Sequence, residues 1–167
     1  MTSALGSIWA DGADNSQDRA GEAHIIFGAA SLPQTIHLAS ASAGVTRIVG
    51  SQAGDEAGVS VFPLGDINGD QIDDFVVGAR YADGLNAATT RSGESYIFYG
   101  RQNFAAVMDA TADANVVIYG ADVDDFSGWP VRGQGDVNGD GYNDILVVPR
   151  CSQILCRTHA ATPEKRI

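Results

Sequence analysis

The chain of 167 residues is long enough to bury one domain-sized core, and its net charge of −11 leaves no basic footprint with which to bind nucleic acid. Hydrophobic residues make up 44% of the sequence and charged residues 19%, which excludes a largely disordered chain. No apolar run reaches the roughly 18 residues of a membrane-spanning helix, and residues 1–9 lack the pattern of a signal peptide. We therefore expect no membrane span and no export signal within this sequence.

Short segments with the composition of β-strands run through the chain. Each is rich in β-branched or aromatic residues and is bounded by Gly, Asp or Asn. There is no helical periodicity longer than two turns, so the sequence predicts an all-β fold. In chain order the predicted strands are residues 23–27, 46–49, 59–64, 75–79, 95–99 and 116–119, followed by a strand-like segment at 145–148.

The sequence repeats itself. Arg19 and Glu22 return further along as Arg91 and Glu94, and the motif at 65–70 (Gly-Asp-Ile-Asn-Gly-Asp) returns at 135–140 as Gly-Asp-Val-Asn-Gly-Asp. Four strands in each unit of about 70 residues indicate a blade of a β-propeller, made of four antiparallel strands.

The repeat divides the chain into segments. Residues 1–57 form a partial blade, 58–127 a full blade and 128–149 the start of the next. Propellers close with about four to eight blades, so roughly two blades indicate an incomplete propeller, either a fragment or a piece of a larger assembly. Residues 150–167 hold four basic residues, one acidic residue and both cysteines. We interpret them as a divergent tail outside the repeat, produced by truncation or a change of reading frame.

Two nine-residue acidic loops carry the clearest chemistry: loop 1 (66–74) and loop 2 (136–144). Oxygen-bearing side chains stand at loop positions 1, 3, 5 and 9, and position 7 can offer its backbone carbonyl. Calcium binds six to eight such oxygens in flexible geometry, so the pattern predicts two Ca²⁺ sites. The candidate metal ligands are Asp66, Asn68, Asp70, Ile72 and Asp74 in loop 1, and Asp136, Asn138, Asp140, Tyr142 and Asp144 in loop 2.

Three other interpretations compete with this one. An EF-hand needs Glu at position 12, where the two loops have Val77 and Val147, and dockerin modules continue into a helix rather than a strand. Asp, Asn and Gly also make simple turns, but the recurrence of the Asp at position 9 favours metal binding. Position 6 is Gly141 in loop 2 and Gln71 in loop 1. If it needs a positive φ, we expect loop 1 to be the weaker site.

The segment 58–79, with Gly-Val-Ser-Val before the acidic loop and Asp-Phe-Val-Val-Gly-Ala at its end, resembles the FG-GAP repeat of integrin α-subunit propellers. The resemblance covers residues 4–148. It differs at Arg80, where the family often has Pro, and at Val148-Pro149, where Gly-Ala is lost. It implies a seven-bladed propeller with calcium loops on one face, a protein or glycan ligand on the opposite face, and a parent protein that is secreted or on the cell surface.

The sequence shows no sign of catalysis. Motifs for a nucleophile elbow, a zinc protease and a phosphate-binding loop are absent, and His24, His37 and His159 stand in unlike contexts. We expect a non-enzymatic adhesion or interaction module in which calcium rigidifies the loops between strands. The alternative is an accessory propeller of a secreted hydrolase whose catalytic domain lies outside this chain.

Overall fold

A computed structural model describes residues 3–12, 16–38 and 44–149. Within these ranges the protein is all-β, as predicted: it has ten strands and one short 3₁₀ segment, Leu85–Ala87. In the same ranges no helix has the length and apolar character needed to cross a membrane. The predicted divergent tail, with Cys151, Cys156 and His159, lies outside the described residues.

The strands form three sheets. Sheet A has the order β1 (Ser3–Ser7), β2 (Glu22–Ile26), β3 (Val45–Val49) and β7 (Val107–Asp109). Sheet B has the order β4 (Ala57–Gly65), β5 (Asp74–Ala79), β6 (Glu94–Phe98) and β8 (Val116–Tyr119). Sheet C is the pair β9 (Val131–Gly135) and β10 (Asp144–Val147). All pairings are antiparallel except that of β3 with β7, which is parallel.

Each predicted strand is confirmed, with small differences at its ends, and β1, β7 and β9 are additional. The position of β7 is informative because it follows β6 of sheet B in the chain but pairs with β3 of sheet A. The segment 58–127 therefore contributes a strand to the sheet of the preceding segment. A short parallel strand thus links two consecutive units of the repeat.

Apolar side chains fill the spaces between the sheets. Phe98 and Tyr96 of β6 are at most 1% exposed in the cluster shared by sheets A and B, and Val76 of β5 is fully buried in the cluster shared by sheets B and C. The core members of the first cluster are Ala23, Ile25, Ile48, Ala57, Val77, Ala79, Ala82, Tyr96, Phe98, Met108 and Ala110, and those of the second are Leu64, Val76, Ile97 and Val131.

Backbone hydrogen bonds repeat at the two junctions between sheets. The N–H of Ala57 donates to the carbonyl of Ala20 at 2.9 Å, and at the equivalent place in the next unit the N–H of Ser127 donates to the carbonyl of Ser92 at 2.8 Å. The side chains differ and the bond is the same. The sequence repeat is therefore a repeat of backbone geometry.

Arg80, where the FG-GAP pattern often has Pro, holds the junction of sheets A and B to the segment that precedes β9. Its Nη2 lies 2.7 Å from the carboxylate of Glu56, whose side chain is buried. Its guanidinium also lies over the rings of Tyr81 and Trp129, at 4.7 and 5.1 Å from their centroids. The guanidinium of Arg80 thus neutralises a buried carboxylate at this junction.

Candidate functional site

Loop 1 joins β4 to β5 and is wrapped around the carboxylate of Asp66. Oδ1 accepts hydrogen bonds from the N–H groups of Gly69 at 2.7 Å and Asp70 at 3.1 Å, and Oδ2 accepts one from Gln71 at 2.8 Å. A carboxylate with three backbone donors fixes the path of the loop around itself. It keeps about one of its four acceptor positions for another partner.

The middle of loop 1 is held by its own side chains. Asp70 accepts the N–H of Ile72 at 2.8 Å and the side-chain amide of Asn68 at 3.0 Å, and the Asn68 side-chain carbonyl accepts the N–H of Asp70 at 3.0 Å. These bonds bring positions 3, 5 and 7 of the loop together. The structure therefore gathers four predicted ligands, Asp66 included, on one tight turn.

Asp74 closes the loop from the strand side. It is 1% exposed, and it accepts the N–H of Ile67 at 3.0 Å and that of Gly100 at 2.7 Å. Burial raises the pKa of Asp74, the two N–H donors oppose the rise, and the negative charges of Asp70 and Asp66 add to it. A cation in the loop would relieve this repulsion.

Loop 2 reproduces the arrangement between β9 and β10. Asp136 accepts the N–H groups of Gly139 at 2.7 Å, Asp140 at 3.1 Å and Gly141 at 2.8 Å. Asp140 likewise accepts from Asn138 and Tyr142, and Asp144 accepts the N–H of Val137 at 2.6 Å.

The hydrogen bonds within the two loops correspond one to one. Their lengths differ most at the ninth position, where Asp74 accepts from Ile67 at 3.0 Å and Asp144 accepts from Val137 at 2.6 Å. The bonds to the first carboxylate agree in both loops, at 2.7, 3.1 and 2.8 Å. The two loop sequences therefore encode one conformation.

Position 6 has a positive φ in both loops, 68° at Gln71 and 94° at Gly141. This is the condition under which the sequence predicts that loop 1 is the weaker calcium site. Only glycine adopts this backbone without a steric penalty, since the Cβ of other residues crowds the neighbouring carbonyl. Loop 1 therefore carries backbone strain that loop 2 lacks. The relative affinity of the two loops for calcium stays a prediction.

The first carboxylate of each loop is held in its charged form. At Asp66, desolvation opposes ionisation, but the backbone N–H donors of the loop outweigh it and lower the pKa. At Asp136, the N–H of Gly141 is the largest influence, and it lowers the pKa together with those of Gly139 and Asp140. Both loops thus present an anionic oxygen at neutral pH.

The donor set has the chemistry of a calcium site. Each loop offers three carboxylates, one side-chain amide oxygen and one backbone carbonyl, all hard oxygen ligands. Among the described residues, no three His, Cys, Asp or Glu side chains converge on one point as metal ligands would. In the conformation described, the carboxylates of the loops face N–H donors instead. The residues present match the ligands of calcium by type and spacing, and calcium binding itself stays a prediction.

The two loops touch, which the sequence did not indicate. The ring of Tyr142 in loop 2 lies against Gly69 in loop 1, and the side-chain amide of Asn143 occupies the place where a Cβ on Gly65 would stand. The N–H of Asn143 also lies 3.4 Å from the carbonyl oxygen of Asp66. The contact arises from the packing of sheet C on sheet B, so its only sequence signal is the equivalent place of the two loops in the repeat.

A buried carboxyl group lies at the opposite end of the strands. Asp55 is 6% exposed and borders a cavity of about 330 Å³ that Arg19, Asp83 and Arg91 also line. Burial, reinforced by the negative charges of Glu94 and Asp83, raises the pKa of Asp55 to about 7. Asp125 stands at the equivalent position of the next unit, 70 residues on. The sequence did not predict the burial of Asp55, because aspartate is rarely buried.

The histidines in the described ranges differ in their surroundings. His24 is buried in β2, 3.8 Å from Glu22, and burial lowers the pKa of its imidazole despite that carboxylate. His24 is thus packed within sheet A. His37 lies between β2 and β3 and is exposed.

Comparison with known proteins gives no relative. No protein-family model matches the sequence, and no curated protein matches it. The resemblance to FG-GAP repeats therefore stays an interpretation of the residues themselves.

Proposed function

We propose that this protein is a calcium-binding β-propeller segment of the FG-GAP type that serves as an adhesion or protein-interaction module. The observation that carries the proposal is the duplicated loop: two acidic turns, at equivalent places in consecutive repeat units, with the same donors on the same carboxylates. These carboxylates also hold the turn through its backbone N–H groups, as any aspartate turn does. Three carboxylates on one turn repel one another, however, and a divalent cation would remove that repulsion.

The sheets support the propeller part of the proposal. Sheet B is a four-stranded antiparallel sheet, and its strands follow the chain order once β7 is set aside. It packs face to face between sheets A and C, and the hydrogen bonds at both junctions are equivalent. A propeller is a radial repetition of such four-stranded sheets, each of which is one blade. Sheets A and B would then be two blades, and the two strands of sheet C would begin a third.

Calcium would act on structure rather than on a substrate. The three carboxylates of each loop repel one another, and the charges of Asp70 and Asp66 already disfavour ionisation of Asp74. An ion that binds only the folded loop stabilises the protein by mass action. We expect an affinity of about 10⁻⁴–10⁻³ M, as in extracellular modules, which would keep the sites occupied outside cells. The partner would be a protein or glycan on the face opposite the loops.

The direct test is a calcium titration by calorimetry on the protein, on Asp66→Ala and on Asp136→Ala. We expect two sites in the parent protein and the loss of a different one in each variant. A far-UV spectrum of each sample shows whether it is folded. Folded protein that takes up no calcium, and whose melting temperature is the same in CaCl₂ and EDTA, would refute the proposal.

A further inference from the structure

Loop 2 contacts loop 1, and no described residue makes the equivalent contact with loop 2. Asn143 contacts Gly65, which directly precedes loop 1, and Tyr142 contacts Gly69 within it. The counterparts of these two glycines are Gly135 and Gly139, and among the described residues no heavy atom lies within 4 Å of the place where a Cβ would stand on either. The two loops have the same internal hydrogen bonds and different surroundings.

We propose that Tyr142 and Asn143 of loop 2 hold loop 1 in the conformation described, through a contact that we call the lid. The contact is made at two glycines that flank Asp66 in the chain. Tyr142 lies over Gly69, whose N–H is one of the three donors to Asp66, and Asn143 lies against Gly65, the last residue of β4. Gly65 and Gly69 have positive φ, 70° and 81° respectively, so a side chain on either would strain the turn. The neighbouring loop supplies the packing atoms instead.

The loop that the lid contacts is also the loop with a strained backbone. Gln71 holds a backbone conformation that disfavours side chains, and the equivalent position in loop 2 is glycine. The loop with the strained residue is thus the loop that receives the contact. Loop 2 contributes side chains to this contact, and loop 1 contributes backbone atoms.

Amide hydrogen exchange tests the lid without any metal. The readout is the protection of the amides of residues 69–71, which donate to Asp66, against that of residues 139–141, which donate to Asp136. We expect greater protection in loop 1. The double variant Tyr142→Ala/Asn143→Ala should lower protection at 69–71 roughly three- to tenfold, a local opening that leaves the amides of β5 and β6 unchanged.

Val137→Ala is the matched control. Val137 also lies in loop 2 and is 73% exposed, and only its backbone N–H is engaged with Asp144, so the substitution should leave loop 1 unchanged. Equal protection of the two loops in the parent protein would overturn the proposal. So would unchanged protection at 69–71 in a double variant whose β5 and β6 amides show that it is folded.

The consequence for calcium rests on the proposed function. If loop 1 is a calcium site, the double variant should weaken calcium binding at loop 1 several-fold although neither side chain is a ligand there. The two ideas fail separately. Absence of calcium uptake by the folded parent protein refutes the metal sites, and exchange that ignores the double substitution refutes the lid.

Discussion

The carbonyl oxygen of Gly128 lies against the Cα of Gly78, in the place where a Cβ on residue 78 would stand. The same contact joins Gly58 to Gly6 in the preceding unit. At this point the backbone of sheet B meets the backbone of the segment that leads into sheet C, with no room for a side chain between Gly78 and Gly128. At position 148, the counterpart of Gly78, the chain has a valine that is 40% exposed, since the described residues place no further sheet against it.

Gly78→Ala should destabilise the protein, because the added methyl group collides with a main-chain carbonyl that cannot rotate away. Overpacking of this kind costs about 1–3 kcal/mol. We expect a melting temperature lower by several degrees in a thermal scan. Val148→Ala is the control from the equivalent position and should change the stability by less than about 0.5 kcal/mol, as exposed substitutions do. Equal melting temperatures for Gly78→Ala and the parent protein would contradict the close junction.

Exchanging position 6 between the loops should exchange their affinities for calcium. Gln71→Gly removes a left-handed non-glycine residue from loop 1, and Gly141→Gln introduces one into loop 2; each such residue costs about 1 kcal/mol. If the backbone at this residue relaxes in the metal-free loop, part of the free energy of calcium binding is used to restore the positive φ. Calorimetry should show tighter binding at loop 1 in the first variant and weaker binding at loop 2 in the second. Movement in the same direction in both variants would be inconsistent with this reasoning.

Two variants of loop 1 distinguish the effect of losing a calcium ligand from the effect of losing a negative charge. Asp70→Asn removes a proposed ligand, and we expect it to weaken calcium binding at loop 1 at least tenfold. Asp73→Asn changes the charge by the same amount at position 8, an exposed residue where loop 2 carries Asn143. We expect that variant to bind calcium within a few-fold of the parent protein. If both variants lose the same affinity in a titration, the loop attracts calcium by charge alone.

The stability of the protein should respond to pH through Asp55. Its pKa is about 7 in the folded protein against 3.8 in the unfolded chain, so between these values the folded state retains a proton that the unfolded state has lost. Stability from this group falls as pH rises from about 4 to 7 and is constant above. Glu94, whose pKa burial also raises, acts in the same direction.

The measurement is the melting temperature of the parent protein and of Asp55→Asn between pH 5 and pH 8. His24 opposes the trend, because burial lowers its pKa and stability from that group rises with pH, but it is common to both proteins. The variant should therefore lose less stability than the parent protein as pH rises. A parallel pH dependence in the two proteins would show that Asp55 is ionised in the folded state.

The sequence predicted the parts of the fold that local patterns specify. Strands such as β5 and β6 are runs of β-branched and aromatic residues, and the acidic loops recur with their donors in register. It did not predict β7, which is only three residues long and pairs with β3 of the preceding unit. Nor did it predict the burial of Asp55 or the contact of Tyr142 with Gly69. All three depend on which sheet lies beside which, and no local pattern encodes that.

The backbone hydrogen bonds between the sheets bear on how a repeat protein of this kind lengthens in evolution. Ala57 and Ala20 make the same main-chain bond as Ser127 and Ser92, so mutation of those side chains leaves the bond in place. In-frame duplication of the coding sequence of one whole unit would add a further sheet. The contact of that sheet with its neighbour would already be encoded in both copies. Lengthening by tandem duplication would then require no new interface to evolve, and the copies could diverge in their loops from the first generation onward.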